Sequence, residues 1–459
     1  MGLTFIERSL VGIYILSFCF IIIDSTTAQN TTKAKQIVPE GNGQTFLQLY
    51  NYQANKRNTH SLIEVNPPSV PADGPPIAIV NCRLINGLGG DPIENAAVVI
   101  EGNRIVDAGM REEVNIPVNT DHFDAKGKTL IPGLIDAHFH SIMDNKRLNR
   151  YLQHGITTMR DPGHPFRFYQ SLYFAEIPVP RMFLTGAHLD GFPPAWPQQA
   201  IVIKNAKQAR QIVYDHIKNG ASGIKIYFRL PLKYYEVITS TASRLGVPVV
   251  AHLELIDADA AIRAGVDGIE HVTSFGTAIA DLEDAKAFKE AVSADPDARR
   301  VERYKLWAKI NMNSERVQDV IDLAVKNNIF MTPTLNVFER HKGGEGVKDF
   351  HVKGYQNMIR FVEKAHKSGM KITVGSHGLS YQHEMELLVK AGMKPMEVIT
   401  SSTIVNAQYL RTEHRLGSIE PGKFADLILV EGNPVDDITT MQNIDRVMLN
   451  GKWIESGDF

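Results

Sequence analysis

Cysteine is scarce in this sequence, which limits both cross-linking and redox chemistry. The 459 residues include two cysteines, Cys19 and Cys82. Cys19 lies in an N-terminal segment with the pattern of a cleaved signal, so the mature chain would keep Cys82 alone and could form no intrachain disulfide. Cys82 belongs to the apolar run 77–84, where a small buried hydrophobe is expected rather than a nucleophile. The core, together with any bound metal, must therefore stabilise the chain.

The chain also lacks an excess of charge of either sign. Its formal net charge is −2, from 49 basic and 51 acidic residues. The composition therefore gives no reason to expect a nucleic acid or an anionic membrane as a partner. Apolar residues make up 43% of the chain and charged residues 22%, which is ordinary for a globular protein. A small-molecule substrate is the expected partner, and the oligomeric state, a homo-oligomer included, stays open.

Long apolar runs are absent outside the N-terminus. There, Arg8 precedes the apolar run 10–23, and small residues lead up to Ala28. This pattern predicts a secretory signal over residues 1–28, because the apolar run is short for a membrane span and an uncleaved anchor is the weaker alternative. We therefore expect a secreted protein without a stable membrane span. A glycosylation sequon begins at Asn30, close to the predicted new terminus.

Four regions follow the predicted signal. Residues 29–76 are polar and rich in Gly, Pro and Asn, which is typical of a tether. Residues 77–128 and 405–459 contain short β-rich runs, and we expect these two segments to pair into one small β-sandwich. Between them, residues 129–404 alternate apolar strands with helical patterns, which indicates an α/β domain.

Eight short apolar strands are predicted in this α/β domain. Near-continuous apolar strands between helices indicate a parallel sheet that is covered on both faces, and eight of them indicate a closed (β/α)8 barrel, the TIM-barrel fold. One interval of about forty residues, 274–313, is long enough for a lid or binding loop, with a solvated helical excursion as the alternative. The predicted strands are Thr129–His138, Gly155–Arg160, Arg181–Gly186, Ser222–Phe228, Val247–His252, Asp267–Val272, Asn328–Thr334 and Lys371–Ser376.

Histidines mark the carboxyl ends of several predicted strands, where the active sites of such barrels lie. The first strand ends in His138-x-His140, and alternate residues of a strand point to the same side, so these imidazoles form half a metal site. Lys225 ends strand four, His252 strand five and His271 strand six. Each alone has a structural explanation, as a core histidine or as a lysine whose amine reaches solvent from a strand edge. Together they predict a metal centre.

Longer motifs accompany these residues. They are PGLIDAHFH (132–140), GITTMRDPG (155–163), GIKIYF (223–228), VVAHLE (249–254), GIEHV (268–272), TPTL (332–335), ELLVKAGMKP (386–395) and GSIEPGKFADLILVEGNPVDDI (417–438). With these motifs in family order, the chain resembles the metal-dependent amidohydrolase superfamily, close to its imidazolonepropionase-like and prolidase-like branch. The resemblance covers roughly residues 77–455.

The resemblance implies a binuclear metal centre. His138 and His140 would hold the more buried ion, and His252 and His271 would hold the second. Lys225 would take up carbon dioxide and become a carbamate that bridges the two ions. Such a pair would polarise a carbonyl and lower the pKa of a bridging water. One or two divalent ions are therefore expected, with Zn²⁺ favoured by the ligand types and Mn²⁺, Co²⁺ or Fe²⁺ as alternatives.

Strand eight departs from the family pattern. Most members end this strand in Gly-Thr-Asp, and the Asp moves the proton of the attacking water, whereas this chain has His377 at that position. No Asp occurs between Asp349 and Asp426, so a shift of register does not restore the carboxylate. Three interpretations stay open. His377 is the catalytic base, since its ordinary pKa suits proton transfer at neutral pH; it is an additional metal ligand; or the site binds substrate with little or no turnover.

The loop after strand three supplies candidates for substrate contact. They are His188, Asp190 and Trp196, for which packing against the barrel rim is an equal alternative. No P-loop, serine-nucleophile elbow or CxxC motif occurs. The sequence predicts a secreted metal-dependent hydrolase that cleaves a C–N bond, in an amide, peptide or cyclic amide, of a small substrate such as a dipeptide or an N-acyl amino acid. The alternative function is a binding protein that lost its proton shuttle with the strand-eight Asp.

Overall fold

The computed structural model describes four stretches of the chain, which are residues 74–140, 145–169, 177–378 and 380–455. The predicted signal 1–28 and the sequon at Asn30 lie outside them, as does most of the polar segment 29–76. In the described stretches, no helix combines the length and the apolar character that crossing a membrane requires.

The strands of the described residues form three sheets. In chain order the strands are β1 (Ile77–Leu84), β2 (Ile93–Glu101), β3 (Arg104–Met110), β4 (Asp121–Asp124), β5 (Thr129–Pro132), β6 (Leu134–Asp136), β7 (Ile156–Asp161), β8 (Arg181–Leu184), β9 (His188–Asp190), β10 (Ala200–Val202), β11 (Ile224–Ile226), β12 (Val249–His252), β13 (Gly268–Glu270), β14 (Phe330–Thr332), β15 (Lys371–Ile372), β16 (Leu427–Val430), β17 (Ile444–Leu449) and β18 (Lys452–Trp453).

The α-helices lie mainly between the strands of the α/β part, where their apolar faces cover the parallel strands. They are α1 (Asn145–Gln153), α2 (Ala206–Lys218), α3 (Tyr235–Arg244), α4 (Ala258–Arg263), α5 (Gly276–Ile279), α6 (Leu282–Ala294), α7 (Arg299–Lys309), α8 (Glu315–Lys326), α9 (Leu335–Phe338), α10 (Asp349–Lys367), α11 (Tyr381–Lys390), α12 (Pro395–Thr400) and α13 (Asn406–Tyr409).

The middle of the chain forms a parallel barrel. Strands β6 to β8 make one parallel run and β11 to β15 another, with β9 and β10 beside β11. Backbone hydrogen bonds join the runs at both seams, because Ser222 N–H donates to Leu184 O at 2.8 Å and Ala137 N–H donates to Val374 O at 3.0 Å. Eight strands therefore follow one another around a ring, and the predicted (β/α)8 barrel is confirmed.

The predicted first barrel strand, Thr129–His138, is two strands in the structure. Strand β5 pairs with β1 and β16, whereas β6 pairs with barrel strand β7. The break falls at Gly133, where a Cβ atom would lie 2.2 Å from Oγ1 of Thr157. The barrel therefore begins at Leu134 rather than at Thr129. The apolar run continues through both strands, so the sequence pattern does not reveal the change of sheet.

Both ends of the chain contribute to one eight-stranded sheet, which we call the terminal sheet. It has the order β18-β17-β16-β5-β1-β2-β3, with β4 beside β1. Its buried side chains, among them Leu130, Leu427 and Met448, form a hydrophobic cluster separate from the barrel core. A buried ion pair between Arg181 and Asp426, with Nε and Oδ2 2.6 Å apart, joins it to barrel strand β8. The predicted small β domain built from both chain ends is therefore present.

The long interval 274–313 is helical. It contains α5, α6 and α7, and α7 packs against α10. Of the two predicted alternatives for this interval, the helical excursion therefore matches its backbone. Part of α7 also reaches the cleft described below, so this helical segment is part of the wall of the site.

Candidate active site

The predicted site residues converge at the carboxyl ends of the barrel strands. The centroids of the His138 and His271 rings are 4.5 Å apart, as are those of His252 and His271, and His140 and His377 are separated by 4.7 Å. His138 and His140 follow β6, whereas His252, His271 and His377 come from three other strand ends, so the fold assembles them from distant parts of the sequence. Lys225 of β11 lines the same cleft.

His138 and His140 bring two ring nitrogens together. Their Nε2 atoms are 3.1 Å apart. Two imidazoles bound tetrahedrally to one zinc ion at 2.0–2.1 Å would place these atoms about 3.3 Å apart. His377 joins them, since one ring nitrogen from each of the three residues lies within 4.8 Å of the other two. The three side chains fit a divalent cation.

Glu270 fixes the ring of His138 from behind. Its buried carboxylate contacts Nδ1 of His138 and Nη2 of Arg160, and it accepts a hydrogen bond of 2.7 Å from the hydroxyl of Tyr409. Metal-binding histidines usually donate their second N–H group to a carboxylate, so this contact leaves Nε2 of His138 for a cation. Sequence reasoning missed Glu270, although an acid directly before His271 in a buried strand is a usable signal.

His252 and His271 form the second histidine pair. Nδ1 of His271 lies 2.7 Å from Oγ1 of Thr334, and Nε2 of His252 lies 3.2 Å from Oε1 of Glu254. In each ring, one nitrogen therefore contacts a protein side chain and the other is available to bind a metal ion. His271 and His377 also have positive φ angles of 67° and 59°. This conformation is costly for residues other than glycine and tends to occur where function fixes the direction of a side chain.

Burial keeps the histidines of the site neutral. It lowers the pKa of His138 and His271 well below the ordinary value, that of His252 to about 4 and that of His377 to about 3. Neighbouring cationic groups, including Lys225, lower these pKa values further. Neutral imidazole is the form that binds a metal ion, so the environment favours ligation over protonation.

Lys225 has a buried amine without a hydrogen-bond partner among the described residues. The residue is 2% exposed. Burial lowers the pKa of its amine to about 7; the charge of Glu270 opposes this shift, and that of Arg160 adds to it. A substantial fraction of the amine is therefore neutral and nucleophilic at pH 7. Reaction with carbon dioxide needs this neutral form.

Lys225 and four histidines of the site line one cleft of about 350 Å³, and His138 is not among its lining residues. Two of the three predicted substrate contacts line it. The ring centroids of His188 and Tyr227 are 4.4 Å apart, and the hydroxyl of Tyr227 accepts a 3.0 Å hydrogen bond from Nε1 of Trp196. Asp190 does not line the cleft. Its buried carboxylate accepts hydrogen bonds from the backbone N–H groups of Gly191, Ala195 and Arg229, so it supports the loop instead of facing a ligand.

Sequence reasoning also missed a histidine on the cleft wall. His164 lines the cleft, and its Nδ1 lies 2.7 Å from Oδ2 of Asp161. Burial raises the pKa of Asp161, but His164 and His140 more than offset this effect and hold it below the ordinary range. The spacing of Asp161 and His164 across a Pro-Gly turn is the signal that could have paired them.

The part of the chain that carries this cleft matches a known family. The model of the Amidohydrolase family matches residues 129–454. The chain belongs to the amidohydrolase family. This amidohydrolase is 24% identical to the ochratoxinase of Aspergillus niger over 441 aligned residues, which cover 80% of this chain and 83% of the relative. It is therefore a hydrolase that acts on C–N bonds, and its histidine cluster could hold the divalent metal that the family uses.

Solved structures agree with this assignment of the fold. A Xaa-Pro dipeptidase with methionine bound in its active site superposes on the amidohydrolase with a TM-score of 0.64, at 23% identity over 83% of this chain and 100% of the other. The crystal structure of the A. niger ochratoxinase also gives a TM-score of 0.64, at 22% identity over 83% of this chain and 95% of the other. These structures support the fold, and the family match over residues 129–454 confirms the predicted amidohydrolase superfamily.

Proposed function

We propose that this amidohydrolase uses one or two divalent metal ions, Zn²⁺ foremost, to hydrolyse an amide bond in a small substrate such as a dipeptide or an N-acyl amino acid. The observation that carries the proposal is the 3.1 Å approach of the Nε2 atoms of His138 and His140 with His377 beside them. The relatives named as a Xaa-Pro dipeptidase and as an ochratoxinase support the choice of an amide substrate.

The donor set divides into two groups. His138, His140 and His377 would hold one ion, and His252 and His271 would hold the second. The neutral amine of Lys225 would add carbon dioxide and lose one proton, and the resulting carbamate would offer one oxygen to each group. When bound, the ions supply a polarised carbonyl and a water of lowered pKa.

The remaining side chains orient and shield the substrate. The hydroxyl of Tyr227 faces the cleft and is fixed by Trp196, so it can donate a hydrogen bond to a substrate oxygen. Val337 and Phe338 supply an apolar wall. His377 fits the role of a ligand better than that of a base, because burial lowers its pKa to about 3 and an imidazole with this pKa binds protons weakly.

The proposal is tested by comparing wild type with His140→Ala, His377→Asp and His377→Ala on a panel of dipeptides and N-acyl amino acids. Bound metal is counted for each preparation. We expect His140→Ala to lose metal and activity together, and His377→Ala to lose activity and part of its metal. A wild type no more active than His140→Ala across the panel would contradict hydrolysis and favour the binding-protein alternative. Full activity of His377→Ala would show that His377 is needed neither as a metal ligand nor as a base in hydrolysis.

We also propose that the protein is secreted after cleavage behind Ala28 and carries a glycan at Asn30. The apolar run 10–23 and the small residues before the predicted cleavage site support this. Sequencing the N-terminus of protein collected from the culture medium tests the cleavage, and a mass shift after glycosidase treatment tests the glycan. Retention of the full chain in cell membranes would contradict the proposal.

A further inference from the structure

The cleft wall formed by α7 carries three arginines and no acid. Arg299, Arg300 and Arg303 line the cleft together with histidines of the site, and among the described residues that line it there is no Asp or Glu. All three arginines belong to the helical segment 274–313, which lies between barrel strands β13 and β14. Fixed cations in a cleft whose described lining carries no carboxylate favour an anionic ligand.

The carboxylates around these arginines leave one positive charge uncompensated. Arg299 and Arg300 share Asp297, at N–O distances of 3.2 and 3.0 Å. Arg303 pairs with Glu254 at 3.1 Å. In the described part of the chain, three guanidinium groups therefore face two carboxylates, and a carboxylate of a ligand would balance the third. The planar fork of an arginine matches the two oxygens of a carboxylate.

Two of the arginines keep N–H groups available for a ligand. Arg300 contacts Asp297 through Nε, and its two Nη atoms have no partner among the described residues. Arg303 donates through Nε to the carbonyl of Arg299 at 2.7 Å and through Nη2 to Glu254, which leaves Nη1. Burial lowers the pKa of Arg303, as expected for a cation that its surroundings compensate incompletely.

The arginines lie close to the histidine cluster. Oε1 of Glu254 is 3.2 Å from Nε2 of His252 and 3.1 Å from Nη2 of Arg303, so a single carboxylate oxygen separates the two side chains. The guanidinium of Arg303 also lies 5.3 Å from the ring centroid of Phe338 on the apolar wall. An anion held by Arg303 would therefore be near the bond that is cleaved and not at the far end of the substrate.

We propose that Arg300 and Arg303 bind a substrate carboxylate next to the scissile amide, which makes the enzyme selective for N-acyl amino acids and dipeptides over their neutral amides. The inference rests on the proposed function, since it takes the amide as the bond that is cleaved. It assigns the choice of substrate to the helical segment 274–313, whereas the barrel strands supply the metal-binding side chains.

A matched pair of substrates tests the selectivity. N-acetyl-L-methionine and N-acetyl-L-methioninamide differ in the carboxylate alone, and methionine is the ligand found in the active site of the Xaa-Pro dipeptidase. In wild type we expect the KM of the acid to be about tenfold lower than that of the amide, with similar kcat. Arg300→Gln and Arg303→Lys should raise the KM of the acid more than that of the amide, which narrows the tenfold difference between the two substrates.

Lys305→Gln is the matched control. It removes one positive charge from the same helix, but Lys305 contacts Glu302 at 2.6 Å and lies outside the cleft lining. This variant should keep the tenfold preference for the acid. A melting temperature within a few degrees of wild type for each variant shows that the fold is intact. Lysine is chosen at position 303 because it retains the positive charge that pairs with the buried carboxylate of Glu254.

Calorimetric titration separates this inference from the proposed function, because binding needs no turnover. The metal-loaded protein is titrated with L-methionine and with L-methioninamide, and we expect wild type and Lys305→Gln to bind methionine about tenfold more tightly. Equal binding of the two ligands by wild type overturns the inference, as does a preference that survives both arginine variants. A preference for methionine without hydrolysis of either N-acetyl compound supports the carboxylate site and contradicts the proposed hydrolysis of N-acyl amino acids.

Discussion

At the scale of single residues, the side chains behind the histidine cluster decide which ring nitrogens face the cleft. Glu270 contacts Nδ1 of His138, and Oγ1 of Thr334 lies 2.7 Å from Nδ1 of His271. Both partners are buried. Turning either ring would leave a buried polar atom unpaired, which costs more than the hydrogen bond itself contributes. The ring orientations are therefore fixed by the protein.

Replacing Glu270 by Gln should weaken metal binding by about 10- to 100-fold, the range typical for outer-shell partners of metal ligands. The amide keeps the size of the side chain but removes the negative charge next to His138. Competition with a chelator of known affinity measures the change. Glu431→Gln is the control, since Glu431 is an exposed carboxylate that pairs with Lys128. Equal metal affinity in the two variants would show that Glu270 does not support the ligand.

Cys82 should not react with thiol reagents in the folded protein. It is 1% exposed, and burial raises the pKa of its thiol to about 12. The thiolate is the reactive form, and at pH 8, four units below this pKa, roughly one thiol in ten thousand is ionised. Titration with a chromogenic disulfide at pH 8 should release no colour until denaturant is added. Rapid labelling of the native protein would contradict the buried position.

At the scale of elements, the barrel strands could be predicted because each is a short, nearly continuous apolar run. For the same reason the boundary between β5 and β6 at Gly133 could not be predicted, because one continuous apolar run supplies a strand to each of two sheets. The contact between Glu270 and His138 could not be predicted from the sequence either, because spacing along the chain does not show which buried polar groups contact each other. The motif histidines were found because they end strands, and strand ends meet at one face of a barrel.

Gly133→Ala should lower the free energy of unfolding by about 1–3 kcal/mol, the usual cost of overpacking a tight interior. The added Cβ atom would lie 2.2 Å from Oγ1 of Thr157, so the backbone between β5 and β6 would have to move away from Thr157. Urea unfolding measures the change. Gly90→Ala serves as the control because its Cβ atom would meet nothing within 4 Å. Identical unfolding midpoints for both variants would mean that the strand break tolerates a side chain.

At the scale of the whole molecule, we expect metal binding and folding to be coupled, because the proposed ligands come from several barrel strands. An ion present at about 100 times its dissociation constant adds about 2.7 kcal/mol to the stability of the fold. A strong chelator should therefore lower the melting temperature of wild type and leave that of His140→Ala unchanged. An equal fall in both proteins would indicate that the stabilising ion binds elsewhere.

The two metal positions should also differ in affinity. His377 stands where the resemblance to the amidohydrolase superfamily implies a carboxylate, so a centre with two ions would have one negative charge fewer for attracting dications. We expect a mild chelator to remove one ion during dialysis and His377→Asp to retain both. Elemental analysis of the dialysed proteins measures the difference. Two tightly held ions per wild-type chain would contradict this prediction.

The pairing of β5 with β16 has a consequence for how the protein is made. Strand β5 leads directly into the first barrel strand, yet its partner β16 lies near the other end of the chain. Because the ribosome synthesises the chain from the N-terminus, β16 is not available to pair with the apolar edge of β5 until synthesis is almost complete. The barrel can begin to assemble earlier, but the terminal sheet closes last. A nascent chain truncated before residue 427 would therefore expose this edge and depend on chaperones.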